Sequence, residues 1–408
     1  MAKTDWKRHR KLLLCITGGI AAYKIPELVR AFSRREWDVE IILTEAAERF
    51  VSAFTLSVLS RHKVWYEADF LSNERGFEIP HVRLAQSCDV LAVAPCTATT
   101  LANLAAADAS SLIPAAALAA RAPVLLFPSM NTDMWQHKGV QQNCRKCREY
   151  GYIIVDPDQG QLACREEGKG RLPEIEIIEE EILKAACPGK KELDGLRVLV
   201  TAGPTHEYLD PVRYISNPSS GKMGFSLAKT AWYRGAEVTA VAGPVMIKPP
   251  HGVRIVPVVE ADQMLDAVLR ESEGADIIIK AAAVGDYKAA SPSAQKIKRN
   301  HGPMTIELFP NPDILAELGK KRRKGQILVG FAAETQDFVE NASSKLSSKG
   351  IDLIAVNDVH APGKGFAGDR NEVTVLDSSG IVSCLAGTKD DVAEGLWDVI
   401  SDRWQKQT

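Results

Sequence analysis

Twice along this chain an apolar run ends in a glycine-bearing turn and restarts as a helix, and that strand–helix alternation constrains the fold more than any other feature. In the first half "RKLLLCIT" is followed by Gly18 and Gly19 and then by a helix. Within it Ile25, Leu28, Val29 and Phe32 fall at i, i+3, i+4 and i+7, giving one core-facing stripe. Pro26 stands in the first turn, where its missing N–H is harmless. "DVEIILT", "CDVLAVAP", "APVLLFPS" and "GYIIVDP" read as further strands with helical segments between them. Apolar strands alternating with helices predict a parallel sheet covered on both faces. The low-charge stretch from Leu91 to Phe127 belongs to this rhythm: with Pro95, Asp108 and Pro114 it reads as strand, helix, strand, and no membrane span.

The rhythm breaks at "KAACPGKKELDGL", where an acidic helix (Glu174 to Ala186) gives way to Pro188, Gly189 and charged residues. It resumes with "RVLVTAGP", a helix from Gly221, "AEVTAVAGP", "VRIVPVV", a helix from Ala261 and "ADIIIKAAA". "QILVGFAAE" and "DLIAVNDV" are later strands, and "EVTVLDSSGIVSCLA" is a hairpin around Asp377 to Gly380. A chain of 408 residues exceeds one core. The expectation is α/β with two doubly wound domains, residues 1–189 and 190–408, with ligands outside the carboxyl ends of the strands.

A net charge of -2 gives no general support for nucleic-acid or anionic-membrane binding, so any polyanion must be held by local clusters. The start, "MAKTDWKRHRKLLLCITGG", has basic residues before an apolar run, but Leu12 to Ile16 is too short for a signal peptide. The reading is cytoplasmic. Eight cysteines without a framework pattern fit reduced thiols. Cys144 and Cys147 make one CxxC in "QQNCRKCREY"; with no second pair they read as two thiols a helical turn apart on a surface, against zinc or redox duty.

In the first half, "TGGIAAYK" and "APCTATTLANLA" each follow a strand and open a helix. Free N–H groups at a helix start, close backbone approach at Gly18 and Gly19, and the hydroxyls of Thr97, Thr99 and Thr100 suit a phosphorylated cofactor. His81 in "IPHVRLAQSCD", Asn131 in "FPSMN" and Cys164 in "GQLACREEGKGRL" taken singly also fit a capping, a turn and a buried residue. Together with "TGGIAAYK" they resemble the flavin-containing cysteine decarboxylases, those acting on phosphopantothenoylcysteine in coenzyme A biosynthesis. The resemblance implies a flavodoxin/Rossmann-like flavoprotein domain with FMN at Gly18, Gly19, Thr44, Thr97 and Thr99. It implies His81 for the acid/base step, Asn131 on the substrate carboxylate and Cys164 as final proton donor. A cysteine carboxylate has no electron sink. Oxidising its thiol-bearing carbon with flavin gives a thioaldehyde β to the carboxylate, which accepts the electrons as CO₂ leaves.

In the second half "ISNPSSGKMG" has a Gly-Lys pair, yet a Walker A loop needs Gly in place of Ser216 and Ser or Thr in place of Met223. Asn217 or a neighbouring Ser could cap the helix, or Ser219 and Ser220 could meet an anion at its positive end. Lys222, in the first turn, opposes the helix dipole unless an anion lies nearby. Asp286 follows a strand; Lys296 and Lys298 alternate around Ile297; Lys345 and Lys349 share a helix face. Aimed at one cleft, these four lysines suit a triphosphate, with Asp286 for a metal or ribose, although each singly also fits a solvated face. Asn311 and Pro312 form a helix start, and Phe331 fits either base stacking or core.

"DPVRYISNPSSGKMG", "AAAVGDYK", "KIKR" and "NPDIL" resemble the CTP-using bacterial phosphopantothenate–cysteine ligases. The resemblance implies Asn217 at an acyl-cytidylate and Lys296 in the second step. It implies CTP on Lys280, Ala281, Ala282, Asp286, Lys296, Pro312, Asp313, Ile314, Leu315, Phe331, Lys345 and Lys349, with Mg²⁺ or Mn²⁺ at Asp286. The whole chain then resembles the bifunctional bacterial family: ligation of phosphopantothenate with cysteine, then decarboxylation. Such proteins are expected as homo-oligomers, ligase dimers and decarboxylase trimers up to a dodecamer. An alternative keeps only the ligase active, with the first half a non-catalytic flavin-binding assembly module. Its motive is "ACRE" where the family has A-C-G-D, and Ser110-Ser111 where N-D is usual. An NAD-dependent reductase is disfavoured, since no strand leads into the dinucleotide fingerprint.

Overall fold

Apolar runs flanked by glycine turns become buried parallel strands in a computed structural model that describes residues 9–70, 79–161, 167–187, 192–298, 302–334, 338–358 and 368–407. The chain divides into two compact units, Met1–Pro188 and Gly189–Thr408.

In the first unit β1 (Lys11–Ile16) leads through a short 3₁₀ turn (Ile20–Lys24) into α1 (Ile25–Arg34), which buries the predicted stripe of Ile25, Leu28, Val29 and Phe32. β2 (Asp38–Leu43), α2 (Ala53–Ser60), β3 (Val64–Trp65), α3 (Pro80–Ser87) and β4 (Val90–Cys96) follow. Then come α4 (Ala98–Ala105), α5 (Leu112–Ala119), β5 (Val124–Pro128), α6 (Thr132–Gln136), α7 (Lys138–Glu149) and β6 (Ile153–Ile154). All pairings are parallel, in the order β3-β2-β1-β4-β5-β6. A hairpin, β7 (Asp158–Gln161) and β8 (Glu167–Arg171), precedes α8 (Ile175–Ala186). The stretch from Leu91 to Phe127 holds two helices where one was expected. Asp108 accepts from the Ser110 N–H and hydroxyl at 2.9 and 2.8 Å, a local turn that competes with helix. Cys144 and Cys147 are not on a surface: both have no exposed area and join the core beneath α4, because thiols pack as small apolar groups.

The second unit repeats the plan. β9 (Arg197–Ala202), the ribbon β10 (His206–Tyr208) and β11 (Tyr214–Ser216), α9 (Lys222–Tyr233), β12 (Glu237–Ala242), β13 (Arg254–Pro257) and α10 (Ala261–Ser272) come first. After them lie β14 (Ile277–Lys280), the ribbon β15 (Tyr287–Ala289) and β16 (Leu308–Pro310), α11 (Ile314–Lys321), β17 (Ile327–Glu334) and α12 (Phe338–Lys349). β18 (Leu353–Asp358), β19 (Arg370–Asp377), β20 (Gly380–Thr388) and α13 (Lys389–Gln407) close the unit. The sheet order is β13-β12-β9-β14-β17-β18-β19-β20. Pairing is parallel through β18 and antiparallel at the β19–β20 hairpin, so the sheet is mixed. α13 packs on α9: Trp397, fully buried, donates its indole N–H to the Leu227 carbonyl at 2.9 Å. Arg234 at the end of α9 bridges Glu394 and Asp398 at 2.8 and 2.9 Å.

In each sheet the strand order reverses beside the first strand, between β1 and β4 and between β9 and β14. Helices then leave to opposite faces, and a crevice opens at the carboxyl ends. Among the described residues no helix is long and apolar enough to cross a membrane.

Candidate active sites

At the first crevice a cavity of about 980 Å³ is lined by Gly18, Gly19, Thr44, Thr97, Thr99 and Asn131, all expected from sequence. That volume lies at the upper end of small-molecule sites, roughly 300–1,000 Å³. The floor is tied across the sheet reversal. Thr17, buried, donates its hydroxyl to the Pro95 carbonyl at 2.6 Å and accepts from the Thr97 N–H at 3.0 Å. A Cβ on Gly18 would lie 2.4 Å from the Ala46 Cβ, so glycine alone lets the loops after β1 and β2 close together. Thr97 caps α4, its hydroxyl oxygen 3.4 Å from the Thr100 N–H.

Asn131 caps α6: its Oδ1 accepts from the Asp133 and Met134 N–H groups at 2.8 and 3.4 Å. Capping sets the sense of the amide, acceptor toward the helix and donor away from it, which is the sense a carboxylate requires. Tyr23, Lys24, Met134, Gln161 and Arg171 also line the cavity and carry no signal in the sequence. Gln161 and Gly170 flank the segment 162–166, so the Cys164 expectation lies outside the described residues. His81 does not line this cavity. It sits in the first turn of α3, which packs against α5, with its ring 5.1 Å from that of Phe70. Its Nδ1 is buried without a hydrogen-bond partner among the described residues, and burial lowers its pKa.

The second crevice, about 210 Å³, gathers Asn217, Ser219, Ser220, Lys222, Lys280, Ala281, Ala282, Asp286 and Phe331. The Ala282 N–H donates to Thr201 Oγ1 at 3.0 Å, fixing the loop after β14 to β9. Asn217 does not cap α9. Gly221 is the cap, without a side-chain bond, and Asn217 instead donates from Nδ2 to the Val284 carbonyl at 3.0 Å. The anion sought for Lys222 is a protein one, Asp369, 2.6 Å from its Nζ, so its position in the first turn needs no ligand.

None of the four lysines expected at one cleft is among the residues that line this crevice. Lys296 and Lys298 are exposed on a segment that does not line the crevice, and neither Lys345 nor Lys349 lines it. Lys349 pairs with Asp313 at 2.8 Å. Burial pushes the Lys280 ammonium down to about 8; Asp313 and Asp286 oppose that shift, Lys349 and Lys345 add to it. Asn311 is not the helix start: Asp313 caps α11, accepting from the Ala316 N–H at 3.0 Å. Asn311 braces the Asp286 loop, donating to Gly285 O and Asp286 O at 2.8 Å each, from side chain and backbone. Ile314 and Leu315 are core residues, 2% and 6% exposed, and with Pro312 and Asp313 stand outside the crevice lining.

Sequence reasoning missed three polar lining residues, Asn357, Asn371 and Lys389. All are nearly buried, and Oδ1 of each asparagine lacks a hydrogen-bond partner among the described residues. Burial, then the neighbouring Lys222, lowers the Lys389 pKa, with Asp369 opposing. Asn357 ends a strand and could have been found as Asp286 was. Asn371 and Lys389 stand at the ends of the β19–β20 hairpin, whose turn is legible in the sequence but whose place at the crevice no local pattern announces.

A flavoprotein family model matches residues 2–186, and one for the C-terminal domain of DNA/pantothenate metabolism flavoproteins matches 193–403. The coenzyme A biosynthesis bifunctional protein CoaBC of Bacillus subtilis is 42% identical over 374 residues, 91% of each chain. The Vibrio cholerae protein of that name is 40% identical over 97% of this chain and 98% of its own. A crystal structure of the C-terminal domain of such a protein covers 53% of this chain and 99% of its own, at 37% identity and a TM-score of 0.45.

Proposed function

The chain belongs to the family of coenzyme A biosynthesis bifunctional proteins, and we propose on that premise a cytoplasmic enzyme with two separate sites. The second unit joins phosphopantothenate to cysteine with CTP through an acyl-cytidylate; the first decarboxylates phosphopantothenoylcysteine with FMN. Matches to both halves favour this over the alternative in which only the ligase works.

One observation carries the reading. Each unit brings its own asparagine, Asn131 or Asn217, to a cavity at the reversal of a parallel sheet, beside helix starts. In the first cavity the glycine cradle at Gly18, the helix starts and Thr97 suit a phosphate, and the floor above Thr17 leaves room for a planar ring; these residues fit FMN. Flavin there supplies hydride acceptance and return. Asn131 orients the substrate carboxylate by donation, Lys24 and Arg171 share Glu174 as ion-pair partner and leave one net positive charge, and Tyr23 and Met134 cover apolar surface from water. Proton delivery by Cys164 and acid/base work by His81 rest on the family resemblance.

In the second cleft Asn217 and the start of α9 hold the acyl group, Lys280 stabilises phosphate charge, and Phe331 offers a face to the base. Among the described residues no group of three or more His, Cys, Asp or Glu could hold a metal. A single carboxylate, Asp286, nonetheless fits Mg²⁺ or Mn²⁺, which take most ligands from phosphates and water. Lys296 serves the amide-forming step. The chain forms a homo-oligomer, with dimeric ligase units and trimeric decarboxylase units; exposed apolar residues on the two ribbons of the second unit, among them Tyr214, Tyr287 and Phe309, support association of the ligase units, and the trimer rests on the family resemblance.

Incubation with phosphopantothenate, cysteine and each nucleotide, following pyrophosphate and CO₂ separately, tests the reading. Asn217→Asp is expected to cut amide formation by at least about 100-fold while supplied phosphopantothenoylcysteine is still decarboxylated. Joint loss of both activities in a folded variant would mean the sites are not separate.

A further inference from the structure

The segment bearing Lys296 lies outside the cleft lining, yet one of its backbone groups is tied to a buried carboxylate on the ribbon that carries Asn217. The Asp210 side chain has no exposed surface. Its Oδ1 accepts from the Val212 and Arg213 backbone N–H groups, both at 2.8 Å. Its Oδ2 accepts from Arg213 Nε and Nη2 at 2.9 and 2.6 Å, and from the Ile297 N–H at 3.1 Å. The same Arg213 Nη2 donates to the Ile297 carbonyl at 2.7 Å. A second tie joins the Ser293 N–H to the Leu209 carbonyl at 2.9 Å.

Both backbone groups of Ile297 are thus spent on one side, toward the turn between β10 and β11. A residue held by its N–H and C=O together, as in a strand ladder, has its neighbours' side chains fixed in direction. Those neighbours are Lys296 and Lys298. The far end of the turn continues through β11 to Asn217. One carboxylate therefore sets the lysine segment against the asparagine that lines the cleft. Burial alone would raise the Asp210 pKa. The guanidinium and three backbone N–H groups outweigh burial and hold it well below the usual carboxylate range, so it stays an acceptor at any working pH.

We infer that Asp210 is a positioning residue for the amide-forming step: through Arg213 and the Ile297 backbone it holds Lys296 in register with the acyl group at Asn217. This rests on the proposed role of Lys296 in that step. Acyl-nucleotide formation, which draws on the cleft lining that Lys296 does not join, is expected to be independent of the tie.

Asp210→Asn places an amide N–H against donors, loosening Arg213 and Ile297 without removing either. In the full-length protein, pyrophosphate release from CTP and phosphopantothenate without cysteine should stay within about twofold, and amide formation should fall about 10- to 100-fold. Combined with Lys296→Gln, Asp210→Asn should add almost nothing, because the two act through one ammonium. Amide hydrogen exchange at Ile297 should quicken. Ile297→Pro removes the N–H that Asp210 accepts, and with it the free φ at 297 and part of the backbone freedom of Lys296; it should reproduce the kinetic pattern and decides the matter if Asp210→Asn does not fold. Proportional loss of both half-reactions, or additive effects in the double variant, overturns the inference. If Lys296→Gln itself spares amide formation, the underlying reading of Lys296 fails instead.

Discussion

At the scale of single residues, the second cleft holds groups whose chemistry is costly without a ligand. A buried acceptor with no partner costs roughly 1–3 kcal/mol, and Asn357 and Asn371 each present one there. Asn371→Leu is expected to leave the unfolding midpoint unchanged or raised, while affinity for at least one ligation substrate drops about tenfold; equilibrium denaturation and calorimetry check both. Lys280 makes a pH prediction. Below about 8 its ammonium is charged, and it is lost as pH rises through that value. Phosphates favour the charged form, so nucleotide binding should take up a proton near and above this pH, and affinity should fall with a slope of up to about one decade per pH unit. Titrations in buffers of different ionisation enthalpy read the uptake; a flat profile, or uptake persisting in Lys280→Met, contradicts it. Asn131, Asn217, Asp286 and Phe331 were legible because each stands where a strand or turn delivers it to the crevice. Lys296 and Lys349 fall outside the crevice lining, because helix-face or strand alternation fixes which residues share a side and says nothing about where that side points.

At the scale of elements, α9 rides close on β9. A Cβ on Gly224 would lie 2.6 Å from Ala202 Cβ and 2.9 Å from Thr201 O, so Gly224→Ala must push the helix start outward. The expected cost is about 1–3 kcal/mol of stability, with weaker nucleotide binding and unchanged flavin content, read by denaturation and absorbance. The long elements were readable from period alone, as the Ile25–Phe32 stripe illustrates. α7 was misjudged for a reason visible afterwards: Val140, Cys144 and Cys147 form an i, i+4, i+7 stripe once cysteine is counted as apolar. The ribbons β10–β11 and β15–β16 were invisible, since strands of three residues carry no period.

At the scale of the molecule, two copies of one architectural plan lie in series, and the plan was legible because it repeats. The order of strands was not. Local pattern marks strands without saying which becomes central, and only the full burial of β4 and the pairing of β14 with β9 reveal it. If each unit holds its own site, residues 1–188 expressed alone should bind flavin and 189–408 alone should form the amide with CTP. Absence of ligation by a folded second fragment would show that its site borrows from the first. The units differ in when their cavities are completed. The first cavity, proposed for flavin, draws its last described lining residue from Leu172, whereas the second, proposed for ligation, waits for Asn371 and for Lys389 at the head of α13. During translation the first pocket can therefore close around its ligand while the second still lacks a wall, and a message truncated in the hairpin would yield a yellow protein unable to make its own substrate.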